Sequence, residues 1–319
     1  MPLQISSHMK GLANVGHTCY FNVAVQCLVY APNSTNYFLQ GAEAADVNAR
    51  RKGASGLAMA FADFARRYWT EGAPGDTIDS LGVYQAFALA CRGFPRGVEH
   101  DAHEALVCML DKMHEGLSRM KPGENGVARR PMVCAAAWTS ALKNETSVVS
   151  EVFRGQVEHR VDISSSADGT SVTHDHFTSL SLAVHDASNL ATCLHKFMAS
   201  ETLTDGPAPA TLSKRFTYLP RVLVVHLKRF DQSGVKIDKF VDYPFELDLG
   251  AYVVAEDVDH HYQMFAVCLH RGSSHTGHYA ACCEVKGNWF MCDDHAATPL
   301  EDINNVIQRD AYMLMYRRL

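Results

Sequence analysis

The sequence predicts an α+β fold. Three observations carry that reading: helical apolar spacing confined to the first 145 residues, segments rich in β-branched and aromatic residues from about residue 152 onward, and an ordinary globular composition. Apolar residues make up 47% of the 319 and charged residues 20%, which argues against disorder and against a fibrous repeat. At roughly 150 residues per domain the length admits one large domain or two modest ones.

The helical part opens with GLANVGHTCYFNVAVQCL, where a glycine-punctuated loop leads into a helix expected from Cys19 to Tyr30. Leu57, Phe61, Phe64 and Tyr68 follow at offsets of four, three and four, so they share one face of a second helix. The clearest stripe is Ala102, Leu106, Met109, Met113 and Leu117, with Asp101, Glu104, Asp111 and Glu115 among the polar positions. Strands are then expected in VFRGQVEHRV, HFTSLSLAV, LPRVLVVHLKRF, YQMFAVCLHR, HYAACCEV, NWFMCD and AYMLMYRR, with turn residues between them. KPGENGVARRP at 121–131 and ETLTDGPAPATLS at 201–213 read as linkers, because Gly, Pro, Ser and Thr replace periodic apolar residues there.

Charge and cysteine usage narrow the function classes. A net charge of −6 gives no general attraction to nucleic-acid phosphates or to an anionic membrane, so neither is expected as a partner. The first residues, MPLQISSHMKG, hold no apolar core of a secretory signal, and no run approaches the roughly 18 apolar residues of a membrane span. An intracellular location in cytoplasm or nucleus is expected. The ten cysteines are too sparse for a disulfide scaffold and form no C-x-x-C pair, so they read as free thiols and no metal or other cofactor is expected.

Cys19 lies in the first turn of its helix, where the partial positive charge of the N-terminus favours a thiolate and lowers the thiol below its usual value near 8.5. Thr18 is placed to cap that helix, and the amide of Asn14 is placed to face an oxyanion. Taken alone, Cys19 reads more readily as a small buried hydrophobe, as Cys27 does two turns later. A thiol nucleophile needs a base, which is usually distant in sequence. His278 follows a glycine-rich loop at the start of a strand, and a hairpin through Lys286-Gly287-Asn288 would return Asp293 beside it to orient the imidazole. A lone His278, among 17 histidines, reads equally as a surface residue.

GLANVGHTCY resembles the cysteine box of the ubiquitin-specific protease family, and Tyr262, Ala266, Val267, His270, Gly272, Gly277, His278, Tyr279, Trp289, Asp293 and Asp294 match its histidine box. DAHEALVCMLDKMHEGL, LPRVLVVHLKRF and the closing AYMLMYRR are similar to further stretches of that family, so the resemblance runs in order from residue 11 to 317. It implies a papain-like cysteine protease fold with a helical thumb at about 11–145 and a β-rich palm and fingers at about 146–319, a single catalytic domain over 8–319. It also implies roles: Cys19 as nucleophile, His278 as general base and acid, Asp293 as the residue orienting His278, and Asn14 as oxyanion donor. The resemblance further implies that Asp294 supports the tetrahedral intermediate or shares the orienting role, and that Asp101 occupies the position contacting the arginines of the ubiquitin tail, with Glu104 close by. The implied activity is a deubiquitinating thiol protease, a monomer acting on ubiquitin or ubiquitinated proteins without a cofactor.

Three departures accompany the match. The family often binds zinc at its fingertips through two C-x-x-C pairs, but only Cys193 occurs between Cys134 and Cys268, so VDISSSADG resembles a zinc knuckle without ligands. The H-x-H pair His174 and His176 reads as a solvated loop rather than a substitute site. His17 stands where Asn is usual and reads as packing against its loop, and Ala105 stands where Phe is typical. Two other functions stay open: a non-catalytic ubiquitin-binding pseudoprotease, disfavoured because every triad position is filled, and a protease for another ubiquitin-like modifier.

Overall fold

The computed structural model describes residues 9–120, 145–163, 169–204, 208–254, 259–273 and 276–319. Strand β1 (Gly11–Leu12) pairs in parallel with β2 (Thr77–Ile78), and around them lie α1 (Cys19–Val29), α2 (Ser34–Leu39), α3 (Lys52–Thr70), α4 (Leu81–Ala90) and α5 (Ala102–Gly116). Helix α1 is buried along its whole length, as a helix apolar on nearly every side requires. The predicted stripes of α3 and α5 are buried, and the two helices approach so closely that a Cβ on Gly116 would stand 2.5 Å from the Ala54 carbonyl oxygen.

A short pair, β3 (Arg119–Met120) with β4 (Glu145–Thr146), flanks residues 121–144, so the linker expected at 121–131 lies outside the described residues. Helix α6 (Val148–Phe153) follows, held by reciprocal bonds between the Ser147 and Ser150 hydroxyls and backbone N–H groups. That capping box corrects the strand expected from Val152: the chain stays helical to Phe153 and packs on the same core as α5.

The remainder comprises β5 (Gly155–Ile163), β6 (Thr170–Phe177), β7 (Leu180–Ala183), α7 (Leu190–Met198), β8 (Glu201–Leu203), β9 (Ala210–Tyr218), β10 (Val222–Lys228), β11 (Glu246–Asp248), β12 (His261–Gly272), β13 (Gly277–Val285), β14 (Asn288–Asp293), β15 (Ala296–Pro299) and β16 (Ala311–Arg318). The smaller sheet has the order β6-β5-β9-β8, and the larger runs β15-β14-β13-β12-β16-β10-β7 with β11 also paired to β12. HFTSLSLAV, read as one strand, is two: the chain leaves the smaller sheet after Phe177 and enters the larger one at Leu180, parallel to β10. The linker expected at 201–213 is also corrected, because Glu201↔Leu212 and Leu203↔Ala210 pair as a hairpin whose Gly and Pro lie between β8 and β9. His174 and His176 sit half-buried on β6 rather than on a loop, with His174 Nε2 3.5 Å from Glu158 Oε2.

The larger sheet is covered on both faces. Phe265, Cys268, Tyr279, Cys283 and Met315 face the helices α1 to α6, whereas Met264, Val267, Cys282, Leu314 and Tyr316 face a second core that includes α7. Burial on both sides explains why β12 and β16 read as almost unbroken apolar runs. The expectation of free thiols throughout is corrected at one place: Cys91, ending α4, is disulfide-bonded to Cys108 of α5, their Cα atoms 6.3 Å apart and within the usual span of such a bond. Among the described residues no helix is long and apolar enough to cross a membrane.

Candidate active site

The segment before α1 is folded on the side chain of Asn14. Its Oδ1 accepts from the N–H groups of Gly16 and Thr18 at 3.0 and 3.2 Å and from the Thr18 hydroxyl at 3.2 Å. Gly16 and His17 both take positive φ, 106° and 52°, turning the chain sharply into the helix. Thr18 occupies the cap position as expected, but its hydroxyl makes no bond to an N–H of α1; it accepts from Val15 N–H instead. It therefore secures the loop, not the helix end.

Cys19 opens α1 and is buried, against the backbone N–H of Tyr279, the residue after His278. Burial pushes its thiol up from the ordinary value, and the Asp294 and Glu99 carboxylates push the same way, opposed by the N–H groups of Tyr279 and Tyr20. This direction is opposite to the one expected from the helix N-terminus, with burial its largest cause.

The predicted hairpin forms through Lys286 and Gly287, both at positive φ as a tight two-residue turn requires. Ala281 pairs with Cys292 in its register, so Ala280 opposes Asp293 and His278 lies two residues along on the same face. His278 Nε2 stands 2.6 Å from Asp293 Oδ1. Engaging Nε2 with the carboxylate leaves Nδ1 as the ring nitrogen for proton transfer.

Asp294 takes a different place from its neighbour. At φ 45°, it turns away from the strand, and its two oxygens accept from Asn14 Nδ2 and Asn22 Nδ2, both at 2.8 Å. Its backbone oxygen accepts from Leu12 N–H at 2.7 Å. Gly11 permits this approach, since a Cβ there would lie 2.0 Å from the His295 carbonyl oxygen. Asp294 therefore ties the histidine hairpin to the cysteine loop, and one of the two Asn14 amide hydrogens is engaged in that tie.

Asp101 caps α5, its Oδ1 accepting from His103 and Glu104 N–H at 2.7 and 3.0 Å, and its Oδ2 accepts from the Tyr312 hydroxyl. Glu104 lies exposed in the first turn of the same helix. His17, expected to pack on its own loop, is exposed and reaches Glu99 instead, Nδ1 to Oε1 3.7 Å; Glu99 Oε2 in turn accepts from Gly277 N–H at 2.8 Å. One carboxylate thereby touches both the cysteine loop and the entry to the histidine strand.

Sequence reading missed Asn22 and Glu99. Asn22 was findable as a polar residue one turn after Cys19 in an otherwise apolar helix, whereas nothing local marks Glu99. The four-thiolate zinc site common at the fingertips of the related family does not fit this chain. Cys193, the lone cysteine in that stretch of sequence, is buried in α7 against the second core.

A family model for ubiquitin carboxyl-terminal hydrolases matches residues 10–316. The chain belongs to the ubiquitin carboxyl-terminal hydrolase family. Among similar relatives, ubiquitin carboxyl-terminal hydrolase Usp2 of Drosophila melanogaster is 28% identical over 335 residues, covering 98% of this chain and 35% of the fly protein. Ubiquitin carboxyl-terminal hydrolase 42 of Homo sapiens is 31% identical over 327 residues, covering 97% of this chain and 23% of the human protein. The chain thus spans well under half the length of these two hydrolases. A solved structure of the SAGA Ubp8/Sgf11/Sus1/Sgf73 DUB module bound to ubiquitin aldehyde superposes with a TM-score of 0.80 at 21% identity, over all of this chain and 71% of that one. The papain-like α+β fold of this hydrolase family is therefore the fold of the chain.

Proposed function

We propose that the protein is a deubiquitinating cysteine protease that hydrolyses the bond after the C-terminal glycine of ubiquitin. The observation that carries this reading is the 2.6 Å contact of His278 with Asp293 beside a thiol seated on the next residue of the same strand. Asp293 holds the ring so that Nδ1 takes the proton of the Cys19 thiol as the sulfur attacks the glycine carbonyl. The Cys19 backbone N–H and the remaining Asn14 amide hydrogen stabilise the oxyanion. His278 then protonates the departing amine, and a water that it deprotonates cleaves the thioester.

Asp101 and Glu104 supply negative charge for the arginine-bearing tail of ubiquitin, and the chain acts as a monomer on ubiquitin or ubiquitinated proteins. The related DUB module was solved with ubiquitin aldehyde, an electrophile of the kind a thiol attacks, which supports the same substrate here. The buried thiol with its raised pKa favours one second reading, a ubiquitin-binding protein without turnover. Ubiquitin carrying a C-terminal electrophile separates the two. Covalent labelling that disappears in Cys19→Ala is expected, together with release of a fluorophore from the ubiquitin C-terminus; binding without either would overturn the proposal. Parallel assays with other modifier conjugates set its specificity.

A further inference from the structure

The open end of the β11–β12 pair carries a cluster that the proposed reaction does not use. Asp248 ends β11 directly opposite His261 at the start of β12. The preceding pair, Leu247 and Tyr262, is buried, so strand alternation turns Asp248 and His261 outward on one face. His260 lies just before the strand, and Leu249 N–H bonds to its carbonyl, which brings its ring to that same face with centroids 4.4 Å from His261. Asp248 Oδ1 accepts from His260 Nδ1 at 2.7 Å and from Gly250 N–H at 2.7 Å, so the carboxylate is held before any ligand arrives. Gly250 leaves the room, since a Cβ there would come within 2.8 Å of His260 Cε1.

One donor atom from each of Asp248, His260 and His261 lies within 4.8 Å of the others. A tetrahedral zinc ion, with bonds near 2.0–2.1 Å, sets its ligands about 3.4 Å apart, which small side-chain rotations reach from here. Two imidazoles with one carboxylate select a zinc-like transition ion over magnesium or calcium. Arg318 pairs with Asp259 at 3.9 Å and donates to the Leu219 carbonyl. We propose that Asp248, His260 and His261 form a three-ligand site for a zinc-class divalent metal, with its fourth position open to water. His260 ligates as a neutral ring: if Nδ1 takes the ion, the ring hydrogen resides on Nε2 and the Nδ1–Asp248 hydrogen bond is exchanged for metal ligation with no net loss of the hydrogen. Just past Asp248, the Ala251 carbonyl accepts from Arg215 of β9 and Val253 bridges to Phe216 of the same strand. The three ligands all belong to the β11–β12 pair of the larger sheet, so the metal pins the open end of that pair.

Zinc chloride titrated calorimetrically into the full chain tests this, with His261→Ala, Asp248→Asn and His278→Ala in parallel and circular dichroism confirming their folds. His278→Ala controls for the His278, Asp293 and Asp294 group, the other donor cluster among the described residues. One equivalent bound by wild type and by His278→Ala, weakened at least about tenfold in His261→Ala and Asp248→Asn, is the expected result. Binding that survives His261→Ala and Asp248→Asn, binding lost only in His278→Ala, or no saturable binding below millimolar zinc would each overturn it.

Discussion

Cys19 opens a helix, yet its thiol is pushed up from the ordinary value, with burial the largest cause. Glu99 is one of the two carboxylates that add to this, and it differs from Asp294 in that its charge can be removed while its contact to Gly277 N–H is kept. In Glu99→Gln the amide oxygen still accepts that bond, the negative charge is gone, and the Cys19 thiol falls toward its ordinary value. More thiolate at pH 7 follows, so iodoacetamide should alkylate Cys19 faster than it does in the wild type. An unchanged or slower rate would remove Glu99 from the electrostatics of the site. Asn22 acts through geometry instead: it is buried and donates to Asp294 Oδ1 and to the Ala13 carbonyl. Asn22→Ala leaves those acceptors short of a donor at a cost of about 1–3 kcal/mol, read as a lower urea midpoint. Because Asp294 also carries the tie to Asn14, kcat should fall more than KM rises. The nucleophile and the His278–Asp293 pair were legible because loop-to-helix and hairpin chemistry are local. Asn22 and Glu99 act across 272 and 178 residues, and no local spacing encodes such contacts.

At the level of elements, legibility followed amphipathicity. Helices α3 and α5 each bury one stripe and expose the other, so their period is visible, and β12 to β14 and β16 announce themselves by β-branched and aromatic content. Helix α4, LGVYQAFALA, is apolar around most of its circumference and shows no such contrast. The β8–β9 hairpin was obscured by the Gly and Pro of its own turn, which outweighed the alternation of ATLSKRFTY. The contact of α3 with α5 also depends on something composition conceals, the bare Cα of Gly116. A Cβ there meets the backbone of Ala54, which cannot swing aside as a side-chain tip would. Gly116→Ala gains helix propensity of about 1 kcal/mol but overpacks the helix pair, at a typical cost of about 1–3 kcal/mol. Net destabilisation, seen as a lower thermal midpoint, is the expected outcome; a higher one would mean that the two helices separate freely.

Across the whole molecule, the larger sheet meets the helical half at a stacked histidine pair, and burial keeps that pair and His270 of the sheet neutral. His226 of β10 stacks on His103 of α5 with ring centroids 4.0 Å apart, and burial holds it down to about 3, helped by its neighbour His103 and by Lys228 and opposed by Asp101. His270 of β12 is held down to about 4 by burial and Lys236, against Asp101, Asp310 and Glu99, while burial also lowers His103. In the unfolded chain these imidazoles titrate near 6.5. Below that pH the unfolded state takes up protons that the folded state refuses, so their stabilisation is complete above about 6.5 and is lost as pH falls toward the folded values. Between pH 6.5 and 5 ordinary carboxylates stay mostly ionised while free imidazoles gain most of their charge, so the histidine contribution dominates this window. Unfolding free energy should therefore fall in that window by on the order of 1 kcal/mol per pH unit for each such histidine. Urea midpoints at pH 7, 6 and 5 measure the slope, and His226→Asn, which cannot protonate, should flatten it. An unaltered slope in that variant would place the acid sensitivity elsewhere than the joint between α5 and β10.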